Sequence, residues 1–280
     1  MRKKILLFGL FGLLLSCGLD KQNEAKKIRL KIKGSDTVYP LSKLLCTSFQ
    51  MQNKQSEIIL EGGGTTAGFA AFIDGKADVV AASRDLKPVE KERLDSLKKE
   101  VLTYIIAFDG LAVIVNAANP IEKITKDQLT AIFQGKVTNW KELGGMREKI
   151  DVYALSKTNG VDEFFRDKIM GEDNYSSSVN RVEKAKDLVK RVANSKSAIG
   201  YCNLTLLQPK VKYLSVSYDS SKTFIAPNAF NFQNRSYPIS RALYYFADAS
   251  KEAEMKLFTD YTKTLLGKRN ISEMGFIPPQ

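Results

Sequence analysis

Histidine is absent from this chain of 280 residues, and that absence excludes whole classes of protein. Catalysis by Ser-His-Asp or Cys-His groups requires an imidazole, as does every metal site ligated by histidine. The carboxylates show no clustered pattern of metal ligands, and no nucleophile has a base beside it. We therefore expect neither a metal nor a cofactor, and no enzymatic activity.

Long basic blocks interleaved with aromatic residues are also missing, although the formal net charge is +12. The lysines are spread along the chain, which is typical of a solvated surface with some attraction for anions or anionic lipid. Nucleic-acid binding is therefore not expected. The length is sufficient for one large domain or two modest ones, each with its own core.

Residues 1–16 have the three parts of an export signal, a basic start, an apolar run over residues 5–15 and a small residue. The apolar run is too short to span a bilayer comfortably. Its end resembles a bacterial lipobox, with Leu15 bulkier than is usual, which predicts lipidation of Cys17 by palmitate and related chains. Residues 17–27 would then tether the protein to the cell envelope, outside the cytoplasm. The alternative is a signal peptide cut at a nearby small residue beside an incidental cysteine.

Cysteine and tryptophan are scarce, with three copies and one copy. After Cys17, the remaining cysteines are Cys46 and Cys202, which lie among apolar residues of predicted regular elements. Although an exported chain can form disulfides, this setting favours buried free thiols. Trp140 is expected to be a packed anchor rather than a stacking platform.

Strands and helices alternate along the chain from Ile28 onward. Residues 28–32 alternate apolar and polar side chains as a strand does, and residues 38–49 carry apolar side chains at helical spacing. Further strands are predicted at residues 57–60, 79–82, 102–107, 111–116, 150–155 and 198–202. This alternation predicts an α/β fold with largely parallel sheets.

Four predicted strand ends carry side chains that suit an anion. The glycine turn, residues 62–68, leads from a strand into a helix and leaves backbone N–H groups free. Residues 35–37, 83–84 and 158–160 repeat the pattern with hydroxyl, amide or guanidinium groups. Because ligands of open α/β sheets collect at the carboxyl ends of strands, we expect these turns to converge on one anion. The alternative is that each is a plain turn with a capping side chain.

Several segments are similar, in the same order, to a known family. They are residues 34–41, 63–68, 77–84, 107–116, 132–145, 198–201 and 237–241. Together they resemble the PstS family, the phosphate-binding proteins of bacterial phosphate ABC importers, from about residue 30 to Tyr245. The segment 132–145, which reads IFQGKVTNWKELGG, is highly specific, whereas the glycine turn alone is not.

The resemblance implies a two-lobed periplasmic-binding-protein-like fold, each lobe a mostly parallel sheet flanked by helices, with the ligand cleft between the lobes. Lobe one would take residues 28–108 and 206–280, and lobe two residues 109–205. The lobes would close over inorganic phosphate, and the transmembrane subunits of an ABC permease would recognise the closed monomer.

The predicted phosphate ligands combine the turn residues with those carried over from the family. They are Ser35, Asp36, Thr37, the N–H of Val38, Thr65, Thr66, Ser83, Arg84, Asp109, Asn159, Gly160 and Val161. Among them, Arg84 is expected to be the bidentate cation, with Lys157 or Arg241 as helpers.

The sequence departs from the family pattern in lobe two. Relatives commonly carry arginine, serine and threonine where this chain has Leu155, Asn159 and Val161. Two hydroxyls and one guanidinium are lost, while the backbone N–H groups of the helix start can remain. This departure keeps open a binding protein for another oxyanion, such as sulfate or molybdate. A surface interaction lipoprotein is a further alternative, whereas no histidine, metal-ligand cluster or nucleophile–base pair in the sequence supports an enzyme such as a phosphatase.

Asp109 is the acid that can distinguish phosphate from sulfate. A carboxylate repels an anion unless it accepts the remaining proton of HPO₄²⁻, and sulfate has no such proton at neutral pH. Asp109 or Asp36 would therefore reject sulfate by leaving an acceptor unpaired against an anion. The alternative for Asp109 is a turn residue before Gly110.

Overall fold

Two five-stranded sheets, each covered by helices, form the framework of the computed structural model. The structure describes residues 28–157, 159–206, 208–218 and 223–280. The predicted export signal, the tether and Cys17 lie outside the described residues, as does Thr158. Within the described ranges, no helix combines the length and apolar content needed to cross a bilayer.

The first part of the chain builds most of one sheet. Its elements are β1 (Arg29–Gly34), α1 (Tyr39–Gln52), β2 (Glu57–Glu61), α2 (Thr65–Ile73), β3 (Val79–Ala82), α3 (Pro88–Ser96) and β4 (Val101–Gly110). The second five-stranded sheet, a separate two-stranded sheet and their helices follow. They are β5 (Ala112–Asn116), β6 (Lys123–Thr125), α4 (Lys126–Phe133), β7 (Asp151–Leu155), α5 (Gly160–Phe165), β8 (Asn180–Val182), α6 (Ala185–Asn194), β9 (Ala198–Cys202), β10 (Val211–Tyr213), β11 (Ser215–Ser217) and α7 (Ala229–Gln233).

The chain then returns to the first sheet and ends in two helices. These elements are β12 (Ser240–Asp248), α8 (Glu252–Lys263) and α9 (Leu265–Glu273). The first sheet has the order β2-β1-β3-β12-β4, and the second has the order β10-β5-β9-β7-β8. We call the first sheet with its helices lobe one and the second sheet with its helices lobe two.

Both sheets are mostly parallel, as the sequence predicted, with four strands running in one direction and one strand, β12 in the first sheet and β5 in the second, running in the other. In lobe one, β1 runs parallel to β2 and β3, but β12 is antiparallel to β3 and β4. In lobe two, β7 runs parallel to β8 and β9, but β5 is antiparallel to β9 and β10. The strands that connect the lobes, β4, β5 and β12, all make antiparallel pairs. The α/β class and the two-lobed architecture are as predicted.

The chain passes from lobe one to lobe two at Leu111, between β4 and β5. It returns at Ser240, later than the predicted boundary at residue 206. The reason is that β10 pairs with β5 and β11 pairs with β6, while the buried Phe232 and Tyr237 belong to the core of lobe two. The sheet pairings therefore assign residues 208–218 to lobe two.

Apolar periodicity accounts for the helices that cover the sheets. In α6, Leu188, Val189, Val192 and Ala193 are buried at helical spacing, and they face the core of lobe two. That core also contains Trp140, which is fully buried and donates its indole N–H to the carbonyl of Ser197 at 2.8 Å. The prediction of a packed tryptophan is confirmed.

The two described cysteines lie in different lobes. Cys46 is buried in the lobe-one core and Cys202 in the lobe-two core, and both thiols are free. Burial raises the pKa of each thiol to about 12. The prediction of buried free thiols is confirmed.

Candidate functional site

Three hydroxyl groups meet at the carboxyl ends of the central strands of lobe one. Ser35 follows β1, Thr65 begins α2 and Ser83 follows β3. The Ser35 and Ser83 hydroxyls lie 3.1 Å apart, those of Thr65 and Ser83 lie 3.5 Å apart, and the N–H of Ser83 donates to the Thr65 hydroxyl at 3.3 Å. The structure thus brings three of the predicted ligands together as one hydroxyl cluster.

The glycine turn places the start of α2 beside this cluster. Gly63 and Gly64 adopt φ angles of 107° and 92°, a region that residues with a side chain rarely enter. The N–H of Gly63 donates to the carboxylate of Asp36 at 2.8 Å, and the N–H of Gly64 donates to the carbonyl of Gly34 at 2.9 Å. Asp36 therefore shapes the turn from an exposed position.

Thr37 faces the start of α5 across the cleft between the lobes. A β-carbon placed on Gly160 would lie 3.8 Å from the Thr37 hydroxyl. Asp36, Asp109, Asn159 and Val161 line the same cavity of about 380 Å³, which we call the small chamber. Six predicted ligands, three from each lobe as the sheets define the lobes, therefore surround one space.

Two backbone N–H groups predicted to contact the anion are engaged within the chain. The N–H of Val38, a fully buried residue, donates to the carbonyl of Ser35 at 3.1 Å. The N–H of Val161 donates to the side-chain oxygen of Asn159 at 2.9 Å, so Asn159 caps α5. An anion would have to share or displace these bonds.

Asp109 is paired with Arg241, its register partner across β4 and β12. The Nε and Nη2 atoms of Arg241 donate to the same carboxylate oxygen of Asp109, Oδ2, at 3.0 and 2.9 Å. The other oxygen, Oδ1, has a longer contact, 3.5 Å, with the amide of Asn203. Asp109 is therefore a buried strand residue with Oδ1 less engaged than Oδ2, and it is not part of a turn.

Arg241 also spans the cleft. Its guanidinium carbon lies 3.9 Å from the centre of the Phe164 ring, which belongs to α5 of lobe two. Both residues line the small chamber and a second cavity of about 710 Å³, which we call the large chamber. The Arg241–Phe164 contact therefore separates the two chambers and joins the lobes.

The large chamber contains Thr65, Ser83 and Arg84 among its lining residues. Arg84 forms a bidentate ion pair with Glu90, with Nη2–Oε1 and Nη1–Oε2 distances of 2.7 and 2.9 Å. Its Nη2 also donates to the hydroxyl of Thr66 at 3.2 Å. Burial alone would raise the pKa of Glu90, but hydrogen bonds from Arg84 and from the N–H of Lys87 outweigh it and lower that pKa.

Arg241 and Lys157, the two predicted helpers, and Leu155, which replaces the family arginine, differ in where their side chains lie. Arg241 lies in the cleft, whereas Lys157 is exposed and lines neither chamber. Leu155 is fully buried in the core of lobe two, so its side chain cannot serve as a ligand.

Sequence reasoning missed Phe164, Asn203 and Arg235, which line the chambers, and Glu90, which pairs with Arg84. Glu90 had a signal, since Pro88 and an acid two positions later mark the first turn of a helix. Arg235 lines the large chamber, and its backbone adopts the left-handed conformation with a φ angle of 59°. Among the described residues, no group of three or more acids or cysteines is placed to hold a metal ion.

Comparison with known proteins identifies the fold. A sequence model of the PBP superfamily domain matches residues 21–264. Two solved structures are similar over 90% of this chain. One is an ABC-type phosphate transport receptor from Vibrio cholerae, with 26% identity, a TM-score of 0.74 and all of that chain covered. The other is a possible phosphate binding protein from Planctomyces limnophilus, with 25% identity, a TM-score of 0.78 and 93% covered.

A curated relative narrows the family further. The phosphate-binding protein PstS of Staphylococcus saprophyticus is 30% identical, and the match covers 98% of this chain and 90% of that one. The names of these relatives describe binding proteins and a transport receptor, which confirms the prediction of a binding protein rather than an enzyme. The chain belongs to the PBP superfamily and, within it, to the PstS family of phosphate-binding proteins.

Proposed function

We propose that this protein captures inorganic phosphate in the cleft between its lobes and delivers it to an ABC importer. The observation that carries the proposal is the hydroxyl cluster of Ser35, Thr65 and Ser83 beside the start of α2, with the start of α5 across the cleft. Hydroxyl groups and helix N-termini are the donors that suit a multivalent anion.

Binding involves no covalent chemistry. A phosphate dianion loses its hydration in the cleft, which is costly unless each oxygen finds a donor. Thr37 and Thr65 supply hydroxyls from lobe one, the first turn of α2 supplies N–H groups that have no acceptor within the helix, and Gly160 lies at the start of α5. The terminal nitrogens of Arg84 are held by Glu90, Asp85 and Thr66, so Arg84 would bind the anion through its Nε–H, while Arg241 holds Asp109 at the chamber wall.

Phosphate binding is proposed to be coupled to closure of the two lobes over the cleft. Phosphate held by lobe one would attract the start of α5, so the ligand shifts the balance toward the closed form. The Arg241–Phe164 contact lies at the interface where the lobes meet and would stabilise the closed form. A permease that recognises the closed form would then receive loaded protein.

Asp109 is proposed to distinguish hydrogen phosphate from sulfate. Asp109 lines the small chamber and its Oδ1 atom has one long contact, so Oδ1 can accept the proton of HPO₄²⁻ while Arg241 holds Oδ2. Sulfate offers no proton, and its oxygen would lie unpaired against the carboxylate. Replacing Asp109 by Asn should therefore narrow the affinity ratio of phosphate to sulfate, and an unchanged ratio would remove Asp109 from this role.

The hydroxyl cluster is tested by Thr65→Val, which keeps the shape of the side chain and removes the hydroxyl. Loss of a hydrogen bond to a charged ligand costs about 1.5–3 kcal/mol, so we expect roughly 10- to 100-fold weaker phosphate binding in a calorimetric titration. Thr103→Val, at an exposed position on β4, is the matched control. Equal affinities of the two variants would contradict the proposed site.

We further propose that Cys17 carries a lipid anchor that holds the protein at the cell envelope, outside the cytoplasm. The proposal is supported by the lipobox-like residues before Cys17 in the sequence. The partners are then phosphate, the permease subunits and the membrane, and the protein acts as a monomer. Metabolic labelling with a fatty acid tests the anchor, because Cys17→Ser should abolish the label.

A further inference from the structure

Apolar side chains supply a large part of the wall of the small chamber. They belong to Pro40, Leu111, Val161, Phe164, Met274 and Phe276. None of these side chains carries a hydrogen-bond donor, so an anion oxygen placed against them would lose its hydration without compensation. The small chamber therefore suits a ligand that presents carbon as well as oxygen to its wall.

Several hydrogen-bond donors of the small chamber are already engaged within the chain. The N–H of Val161 donates to the side chain of Asn159 at 2.9 Å, and Nε and Nη2 of Arg241 both donate to Asp109. An anion in which every oxygen needs its own donor would compete for these bonds. An anion with one oxygen fewer needs fewer donors.

The volume of the small chamber is about 380 Å³. Water occupies about 30 Å³ per molecule in the liquid, so the chamber has room for roughly a dozen groups of that size, more than the phosphorus and oxygens of one phosphate ion fill. The remaining space is sufficient for a substituent of a few carbon atoms beside the phosphorus group.

The C-terminal segment that carries Met274 and Phe276 is fixed in place. The N–H of Ile277 donates to the carbonyl of Phe108, and the N–H of Phe108 donates to the carbonyl of Ile277, both at 2.8 Å. The N–H of Phe276 donates to the carbonyl of Ile271 at 3.2 Å. This part of the apolar wall is therefore preorganised, and contact with a carbon group costs little ordering of the chain.

We propose that the protein also binds short alkylphosphonates, in which a carbon group replaces one oxygen of phosphate, with that group in the apolar part of the small chamber. This inference rests on the proposed function, because the phosphonate oxygens use the donors that inorganic phosphate would use. An alkylphosphonate also keeps an ionisable proton near neutral pH, so it can donate to Oδ1 of Asp109 as hydrogen phosphate would.

The test is calorimetric titration of the native protein with phosphate, methylphosphonate and ethylphosphonate. Both phosphonates should bind. Ethylphosphonate should bind about fourfold more tightly than methylphosphonate, which is the gain expected from burying one more methylene. A site that closes around inorganic phosphate alone would give the opposite order, because the longer chain would find no space.

Two variants of the apolar wall test where the carbon group lies. Met274→Ser removes an apolar side chain, so the affinity for ethylphosphonate relative to phosphate should fall severalfold. Val161→Thr adds a hydroxyl donor, so it should shift the same ratio toward phosphate by about tenfold. Met51→Ser is the matched control, because Met51 is 74% exposed at the end of α1 and lines neither chamber. Equal ratios in the native protein and both wall variants would overturn the inference.

The outcomes separate this inference from the proposed function. Binding of phosphate without binding of either phosphonate would overturn the inference and leave the proposed function intact. Binding of the phosphonates without phosphate would contradict the proposed function and support the apolar wall as part of the ligand site. If none of the three anions binds, the proposed function and the inference both fail.

Discussion

Asp162 supports the lobe-two turn of the cleft, and its removal tests how that turn is held. Its side chain is fully buried, Oδ1 accepts the hydroxyl of Tyr201 at 2.5 Å, and Oδ2 accepts Nη1 of Arg181 at 3.2 Å. The same Arg181 nitrogen donates to the carbonyl of Leu155, and the Tyr201 hydroxyl accepts the N–H of Leu155. One carboxylate thus joins the end of β7 to the first turn of α5.

Asp162→Ala should destabilise lobe two by about 3 kcal/mol. Breaking a buried ion pair costs about 3–5 kcal/mol, and the lower value applies because the Arg181 side chain is 26% exposed and water can reach it. Asp162→Asn keeps an oxygen for the Tyr201 hydroxyl, so its cost should be about 1–2 kcal/mol. Glu163→Ala is the control, since Glu163 is an exposed neighbour on the same helix.

Urea unfolding followed by the fluorescence of Trp140 measures this effect, because Trp140 is buried in the core of lobe two. With a slope of about 3 kcal/mol per molar urea, a loss of 3 kcal/mol lowers the midpoint by about 1 M. The Glu163→Ala midpoint should change little. Equal midpoints for Asp162→Ala and Glu163→Ala would refute the claim that this carboxylate holds the turn.

Three further predictions concern the contact between the lobes, acid stability and the thiols. Phe164→Leu removes the ring beneath Arg241, so the lobes should separate more often, and X-ray scattering should give a larger radius of gyration without ligand. Pairing lowers the pKa of Glu90 in the folded state, so its contribution to stability is present above about pH 4.3 and lost as pH falls through the lowered pKa. Acid should therefore destabilise the native protein more than Glu90→Gln, as measured by urea midpoints at several pH values. A thiol reagent should label Cys46 and Cys202 only after unfolding, and labelling of the folded protein would contradict their burial.

Local patterns were sufficient to predict the elements that carry most of the site. The alternation of residues 28–32, the glycine turn and the helix that follows all have short-range signals, and the structure has β1, β2 and α2 at these places. The meeting of Ser35, Thr65 and Ser83 could also be predicted, because the carboxyl ends of neighbouring parallel strands lie at one edge of a sheet. The boundary of lobe two could not be predicted in this way. The strands β10 and β11 have three residues each, too few for the alternation of apolar and polar side chains to be recognised.

Contacts between residues far apart in the sequence could not be predicted, because they depend on how strands pair in the folded protein. Asp109 and Arg241 are 132 positions apart, and their contact depends on the antiparallel register of β4 and β12. That Asp109 faces the anion stays a prediction, whereas its pairing with Arg241 through Oδ2 depends on tertiary structure. The guanidinium of Arg84 was predicted to bind phosphate, whereas in the structure it pairs with Glu90, six positions later in the first turn of α3.

Calorimetric titration of the native protein, stripped of bound anion, with phosphate and then with sulfate tests the central claim most directly. The account predicts phosphate binding at micromolar affinity or tighter, a free energy of about −8 kcal/mol or stronger, with sulfate clearly weaker. Absence of phosphate binding, or equal binding of the two anions, would contradict it.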